Sequence, residues 1–503
     1  MSSVDTAWLR MDRPGNPMQI VGVMIFDGRL DPGRLRRAVS ERLLRYPRFR
    51  QFAEEGTDGG WWADDDSFDI DAHVRQNLLP APRGTRELQK FVAELASQPL
   101  NPSRPLWDIH LVDSATGDSA LVLRFHHAIA DGIALAAVVE SLTDERADGR
   151  QDAGAVSADG EALRAGVEKN SDTGALVWKT LYEPIGGLAL ASIRIGGNLC
   201  GQCQGLWNDP ATIFDYASVA AAIAKEVGNL ALMPNDSATR FKGKPGAIKC
   251  VAWSEPIDLA EIKAVARVLD CSLNDLALAA VAGAFRGYLL EKGDSAAGVE
   301  IRALVPANLR AAGSNGSLGN HFGFLALELP LGIENPLARL YATRARMAAL
   351  KDSYQASVTY GMLGLLGMAP KFLQQQVLDR LAGKATAVMT NVVRPQHARY
   401  LSGAKVRQEI FWVPRSGDIG IGVSILSYAG KLQFGLISDK TIVADPERIV
   451  GRFAGEFENL LLLVLMEPWP RLHDPDAVEQ ALKNESGRKP ARRLNPAQGV
   501  REK

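Results

Sequence analysis

The stretch Leu121-Val122-Leu123-Arg124-Phe125-His126-His127-Ala128-Ile129-Ala130-Asp131-Gly132, followed by Ile133 to Leu142, decides how the chain folds. An apolar run, a tight turn and a helix-like stretch follow one another, so the sequence predicts strand, turn and helix. Successive strand side chains point to opposite faces. Leu121, Leu123, Phe125 and His127 therefore share one side, and Val122, Arg124 and His126 the other. His127 is expected to face an apolar space, where an imidazole held still and away from water can take a proton from an alcohol near neutral pH. Asp131 falls where the turn enters the helix.

Plainer readings stand beside this one. Asp before an apolar helical run is a common N-cap, Gly132 would serve the turn, and a lone histidine beside apolar residues is most often part of a core. Two adjacent histidines with Asp and Gly at fixed offsets, at a strand-to-helix junction, are more specific than any of these alone and favour catalysis. No metal is expected. The rings of neighbouring strand histidines diverge, and no second cluster offers the missing ligands at a recognisable spacing.

Composition sets the frame. A chain of 503 residues exceeds one ordinary core, so two domains of about 200 residues are expected. With 46% hydrophobic and 23% charged residues it has ample apolar surface to bury. A formal net charge of −1 offers no field to attract nucleic acid, and no nucleic-acid partner is expected. Cys200, Cys203, Cys250 and Cys271 are too few and scattered for a disulfide scaffold, which fits a reducing cytoplasm. Cys200-Gly201-Gln202-Cys203 has no matching second pair and reads as incidental. The opening Met1-Ser2-Ser3-Val4-Asp5 lacks a basic region followed by an apolar core, so no secretion signal is expected.

Asp5 to Asp12 reads as a short amphipathic opening and Gln19 to Phe26 as a strand. A helix is expected from Asp31 through Arg45, strands over Phe68 to Val74 and Leu106 to Asp113, and a helix from Thr85 to Ala96 between them. From Thr143 to Asp172 the composition shifts to Asp, Glu, Gly, Ala and Ser, an exposed loop; Gly174 to Gly205 is apolar with few charges, and Asp209 to Met233 is helix-like. The alternation of strands and helices resumes near Lys249. Asp258 to Leu269 and Ser272 to Leu290 read as helices, the second opened by Ser272 and Asp275 as a capping box, with Asn274 in its first turn. Glu300 to Val305, His321 to Leu329, Ala385 to Val393, Lys405 to Val413, Ile419 to Tyr428 and Lys431 to Ser438 read as strands, the last two joined by Ala429-Gly430. Helices are expected from Asn335 to Lys351 and from Asp445 to Met466. Ser353 to Pro370, 18 uncharged residues with three glycines, is no convincing span; it would lie on a membrane, line a tunnel or form a buried helix. The tail from Asn484 carries six Lys or Arg against Glu485 and Glu502 and reads as disordered, with charge suited to anionic headgroups.

The histidine motif and its surroundings resemble the bacterial wax ester synthase/diacylglycerol acyltransferase family, within the CoA-dependent acyltransferases that share a His-His-x-x-x-Asp-Gly signature. Further marks are Pro105-Leu106-Trp107, Asn274-Asp275, Val305-Pro306-Ala307-Asn308-Leu309-Arg310, Leu318-Gly319-Asn320-His321-Phe322-Gly323 and Thr390-Asn391-Val392-Val393-Arg394-Pro395. Alone, the His-Asp signature marks only the superfamily; together and in this order these segments point to its lipid-acylating branch. The segment Asn16 to Gly22 departs from the family in carrying Gln19 where a histidine is usual.

The resemblance implies an α/β fold of two chloramphenicol-acetyltransferase-like lobes with the active site at their interface. The expected division is an N-terminal lobe over 1–145, a connection over 146–245, a C-terminal lobe over 246–470 and a basic tail over 471–503. It implies an O-acyltransferase that moves a long-chain acyl group from acyl-CoA to a fatty alcohol or diacylglycerol. No permanently bound cofactor is implied, acyl-CoA being a co-substrate. His127 would be the general base and Asn274 an oxyanion donor. His126, Asp131, Gly132 and Arg310 would support the motif, Arg310 by pairing with Asp131, and Pro105, Leu106 and Trp107 would belong to the acceptor pocket. The expected setting is cytoplasmic, peripheral to the inner membrane or to lipid inclusions. Another hydroxyl acceptor (a short alcohol, polyketide or sugar) and a non-catalytic droplet-surface protein remain as alternatives.

Overall fold

A computed structural model describes residues 1–13, 15–56, 59–115, 117–148, 225–230, 232–310 and 318–466. The Cys200–Cys203 pair, the basic tail and most of the expected connection over 146–245 lie outside the described residues. The first half opens with helix α1 (Ser3–Arg10), in which Ser2 Oγ accepts from the Asp5 N–H at 3.1 Å, and continues with strand β1 (Gln19–Asp27) and helix α2 (Pro32–Ala38). A hairpin, β2 (Gln51–Gly56) and β3 (Gly59–Asp64), precedes a single turn, α3 (Ile70–His73), and β4 (Val74–Leu78). The strand expected over Phe68 to Val74 is thus a helical turn: Asp69 caps it by accepting from the Asp71 N–H at 2.9 Å, and extended pairing begins only at Val74. Helix α4 (Thr85–Ser97), β5 (Trp107–Asp113), β6 (Ser119–His126) and α5 (Gly132–Ser141) complete this half.

The second half begins with β7 (Lys249–Trp253), β8 (Ile257–Asp258), α6 (Leu259–Val268) and α7 (Leu273–Glu291). The capping box of α7 is formed, with the Asp275 carboxylate accepting from the Ser272 N–H at 3.1 Å and Ser272 Oγ accepting from the Asp275 N–H at 3.1 Å. Strands β9 (Ile301–Asn308) and β10 (Phe322–Leu329) lead into three helices, α8 (Pro336–Lys351), α9 (Gln355–Met368) and α10 (Lys371–Ala382). Pro370 separates the last two. The chain then runs through β11 (Ala387–Val393), β12 (Tyr400–Leu401), β13 (Ala404–Trp412), β14 (Ile421–Tyr428), β15 (Lys431–Asp439) and α11 (Pro446–Met466). At the β14–β15 hairpin Ala429 (φ 47°) and Gly430 (φ 73°) both take the left-handed conformation that a tight two-residue turn requires.

Beside the β2–β3 hairpin, the described strands form two main sheets. The first has the order β12-β13-β1-β6-β5-β4, the second β10-β9-β11-β14-β15-β7 with β8 beside β15. The division expected at residue 246 fails in one place: Tyr400–Trp412, assigned to the second lobe, supplies β12 and β13 to the first sheet, antiparallel to β1. Without them β1 would present an open edge. Buried arginines hold this crossing in place: Arg394 Nε donates to Glu409 Oε2 at 2.8 Å and its Nη1 to the Ala136 carbonyl of α5 at 2.8 Å, while Arg399 Nη2 reaches the Thr143 carbonyl at 2.9 Å.

The first sheet is buried on both faces. Leu121, Leu123 and Phe125 pack with Leu135 and Val139 of α5, whereas Val122 faces Val92 of α4 and Trp253 of β7. That alternation is the one read from the sequence. Helix α9 packs very closely: a side chain at Gly323 would run into the Ala356 carbonyl, and one at Gly367 into the Ser3 carbonyl. Glycine at both positions lets α9 lie between β10 and α1, and so brings α1 up to the end of β6.

Candidate active site

β6 delivers the histidine pair to the junction of the two halves. The His127 N–H donates to the Met18 carbonyl at 2.8 Å, which turns the chain away from the sheet just after His126 has paired with Gln19. The two rings part there, as strand alternation requires. His126 Nδ1 accepts from the Ala128 N–H at 3.1 Å, and its Nε2 lies 4.0 Å from Asp12 Oδ2, so this ring braces the turn. Gln19 donates to the carbonyls of Leu95, Ala96 and Gln98 and closes the C-terminal end of α4.

His127 is 3% exposed. Its imidazole stacks on Trp8 of α1, ring centroids 4.0 Å apart at 22°, and Phe322 at the start of β10 stands 5.4 Å away. Burial among these rings disfavours the imidazolium and pulls the His127 pKa down to about 4, the Asp131 charge opposing only in part. At pH 7 the ring is neutral and able to accept a proton.

The turn is held from both halves. Asp131 caps α5, its Oδ1 accepting from the Ala134 N–H at 2.9 Å. Its Oδ2 accepts from Arg310 Nη2 at 2.7 Å and from the His321 N–H at 3.0 Å, so the ion pair implied by the resemblance is formed. Gly132 opens α5 with an ordinary φ, and a Cβ there would meet only Val413 Cγ1 at 3.8 Å; the turn does not itself require glycine. A second network involves residues that the sequence reading did not single out. Asn320 Nδ2 donates to the His127 carbonyl at 2.9 Å and to Asp5 Oδ1 at 2.8 Å, while Arg48 Nη1 lies 3.3 Å from Asp5 Oδ2 and donates to the Ile129 carbonyl at 2.7 Å. Asn320 sat inside a quoted segment. Asp5 and Trp8, three apart on an amphipathic helix, gave the same signal as any packed helix face.

Two further expected segments have partners of their own. Asn274 lies in the first turn of α7, and its Oδ1 accepts from Asn391 Nδ2 at 2.9 Å; the amide that reaches the His127 turn is that of Asn320. Pro105-Leu106-Trp107 is buried in the first lobe. Trp107 Nε1 donates to the Phe49 carbonyl at 2.9 Å, its ring stacks on His73 at 4.5 Å, and the Leu106 carbonyl accepts from the His126 N–H at 2.9 Å. The segment therefore anchors the end of β6.

An apolar cavity opens beside Trp8. Trp8, Met11, Leu304, Phe324, Met362 and Leu366 are among its lining residues, and Pro105, Leu106 and Trp107 are not. Helix α9, left open by sequence between membrane surface, tunnel wall and buried helix, contributes one face to this lining while Leu365 and Met368 on its other side are exposed. No helix among the described residues is long and apolar enough to cross a membrane alone. Among the described residues no group of three or more His, Cys, Asp or Glu side chains is placed to hold a metal ion.

Comparisons with known proteins agree with this architecture. The profile of the wax ester synthase/diacylglycerol acyltransferase catalytic domain matches residues 1–277, and that of the WS/DGAT C-terminal domain matches residues 318–461. A Mycobacterium tuberculosis protein proposed to be a diacylglycerol O-acyltransferase is 27% identical over 487 residues, 92% of this chain and 98% of the relative. A Mycobacterium bovis protein with the same proposed activity is 26% identical over 389 residues, 76% of this chain and 77% of the relative. Among solved structures, the wax ester synthase/diacylglycerol acyltransferase from Marinobacter aquaeolei VT8 superposes with a TM-score of 0.62 at 19% identity, covering 92% of this chain and 98% of that one. The starter condensation domain of rhizomide synthetase shares the fold at a TM-score of 0.54 and 12% identity, covering 94% and 96%.

Proposed function

The chain belongs to the wax ester synthase/diacylglycerol acyltransferase family of acyltransferases, and from that premise we propose that it transfers a long-chain acyl group from acyl-CoA to the hydroxyl of diacylglycerol or of a fatty alcohol, with His127 as general base. The observation that carries this reading is the neutral His127 ring, stacked on Trp8, which itself lines an apolar cavity.

In this reading the acceptor hydroxyl sits within hydrogen-bond reach of His127 Nε2, which takes its proton as the oxygen attacks the thioester carbonyl. The tetrahedral oxyanion collapses, the carbon–sulfur bond breaks, and the CoA thiolate recovers the proton from the imidazolium. No acyl-enzyme is required, and no resident cofactor takes part. Asp131 acts through the turn: bound by Arg310 and the His321 N–H, it fixes the start of α5 and takes no proton itself. The oxyanion donor is Asn274, whose Oδ1 is engaged by Asn391 and whose Nδ2 is then left to donate; one such donor contributes roughly 3 kcal/mol to the transition state.

The substrates suit a protein that works at a lipid surface. Leu365 (60% exposed) and Met368 on α9 and Phe372 (65% exposed) on α10 present apolar side chains beside the residues that line the cavity. Such a patch favours peripheral contact with a membrane or lipid inclusion and entry of chains from that side.

The test is acceptor-dependent release of CoA thiol from palmitoyl-CoA by purified protein, with hexadecanol and dioleoylglycerol offered separately. Release with either lipid, and the corresponding ester among the products, supports the assignment. Release with neither, but with a short alcohol or sugar, would move the acceptor to another class.

A further inference from the structure

Trp8 is held where it is by more than its stack on His127. Gln374 Nε2 donates to the Ala7 carbonyl at 2.8 Å, Arg10 Nη1 donates to the Ala369 carbonyl at 3.0 Å, and Asp5, one turn earlier, is bonded to Asn320. The indole is 3% exposed and touches both the catalytic imidazole and the cavity. Its Nε1–H is buried with no acceptor. Trp62 and Trp412 share that condition among the described tryptophans, but neither lines the cavity.

A buried indole N–H ordinarily finds a partner, and the wall around Trp8 offers little. Met11, Leu304, Phe324 and Leu363 are apolar, Arg302 and Lys384 elsewhere in the lining are themselves donors, Ser416 is the other lining hydroxyl, and the Thr359 hydroxyl is already engaged, accepting from the Phe324 N–H at 2.7 Å and donating to a backbone carbonyl. The missing acceptor is one that a substrate would supply. Because the indole is stacked on the imidazole, ring centroids 4.0 Å apart, an acceptor that reaches His127 also passes the edge or face of the indole. In diacylglycerol the carbon next to the one bearing the free hydroxyl, or the next but one, carries an acyl ester, whose carbonyl oxygen is a hydrogen-bond acceptor close to the reacting oxygen. A simple long-chain alcohol has only methylenes there.

We propose that the Trp8 Nε1–H donates a hydrogen bond to an ester carbonyl oxygen of the acceptor, so that Trp8 is a specificity-determining residue favouring diacylglycerol over simple long-chain alcohols. The inference rests on the acyl-transfer reading and adds the feature of the acceptor that is recognised. A site with a buried donor penalises a substrate that leaves the donor unpaired, whereas an apolar wall discriminates weakly.

The experiment pairs a protein change with a substrate change. Trp8→Phe keeps an aromatic ring against His127 and removes the donor; a dialkyl glycerol ether keeps the shape of the acceptor and removes the carbonyl oxygens. CoA release from palmitoyl-CoA is measured for the native protein and the variant with dioleoylglycerol, its diether analogue and hexadecanol. The expected results are a roughly ten- to hundredfold preference of the native protein for ester over ether, loss of that preference in Trp8→Phe, and a smaller loss on hexadecanol than on dioleoylglycerol. A variant that still separates ester from ether as strongly as the native protein overturns the proposal, as does equal loss on all three acceptors, which would mark Trp8 as support for His127 alone. A native protein that does not separate ester from ether overturns it whether or not the variant folds. Absence of release by the native protein with every acceptor would instead overturn the acyl-transfer reading, and this inference with it.

Discussion

Asp131 Oδ2 and Arg310 Nη2 stand 2.7 Å apart, although 179 residues of chain separate them, and both side chains are buried. The same Arg310 nitrogen donates to the Gly319 carbonyl at 2.6 Å, so one guanidinium ties the N-cap of α5 to the segment between β9 and β10. Removing the carboxylate takes the Asp131 counter-charge away from a buried guanidinium. Asp131→Ala is expected to destabilise the protein by about 3–5 kcal/mol and to lower CoA release. Asp131→Asn, which keeps an N-cap acceptor, should cost less. Denaturant unfolding of both variants, with activity measured alongside, checks this; an Asp131→Ala protein with native midpoint and native turnover would remove the structural role.

Trp107 anchors the strand that carries the histidines and lies away from the cavity. Trp107→Phe should lose the bond to the Phe49 carbonyl and about 1–2 kcal/mol of stability, while the ratio of rates on hexadecanol and dioleoylglycerol stays unchanged. A shift of that ratio with stability intact would return Trp107 to the acceptor pocket.

The histidines give the protein a signed response to acid. His127 has its folded pKa lowered to about 4, and burial also lowers those of His126, His73 and His321 below 6.5. Between the folded and unfolded values the unfolded chain binds more protons, so the histidine contribution to stability is full above about pH 6.5 and is lost as the pH falls toward 4. Urea midpoints should therefore decline from pH 7 to pH 5. The acid limb of kcat/KM should lie well below that of an ordinary histidine, and a limb centred near 6.5 would show that His127 is not the group being titrated.

The exposed side chains of α9 and α10 predict a surface effect separable from chemistry. Leu365→Ser with Phe372→Ser, both at exposed positions, should reduce co-sedimentation with phosphatidylglycerol vesicles severalfold, with a melting temperature close to native. Unchanged co-sedimentation would place lipid contact elsewhere.

Much of this was legible in the chain because local pattern and tertiary role coincide. Alternation along Leu121 to His127 separated the two histidines, and the Ser272–Asp275 capping box is formed as read. What was not legible depends on partners distant in sequence. Asp5 contributes through Asn320, 315 residues away, and Trp8 through His127. The crossing of β12 and β13 into the first sheet depends on the open edge of β1 and on the Arg394–Glu409 pair, neither of which has a local signature. The role of Pro105-Leu106-Trp107 was not legible because a buried tryptophan reads the same whether it fills a core or walls a pocket.

The most direct test of the account is the rate at which His127→Ala releases CoA from palmitoyl-CoA in the presence of dioleoylglycerol or hexadecanol, measured on protein whose melting temperature matches the native one. A His127 general base predicts a fall of roughly 100- to 10,000-fold on whichever acceptor the native protein uses. Retention of native turnover by the folded variant would contradict it.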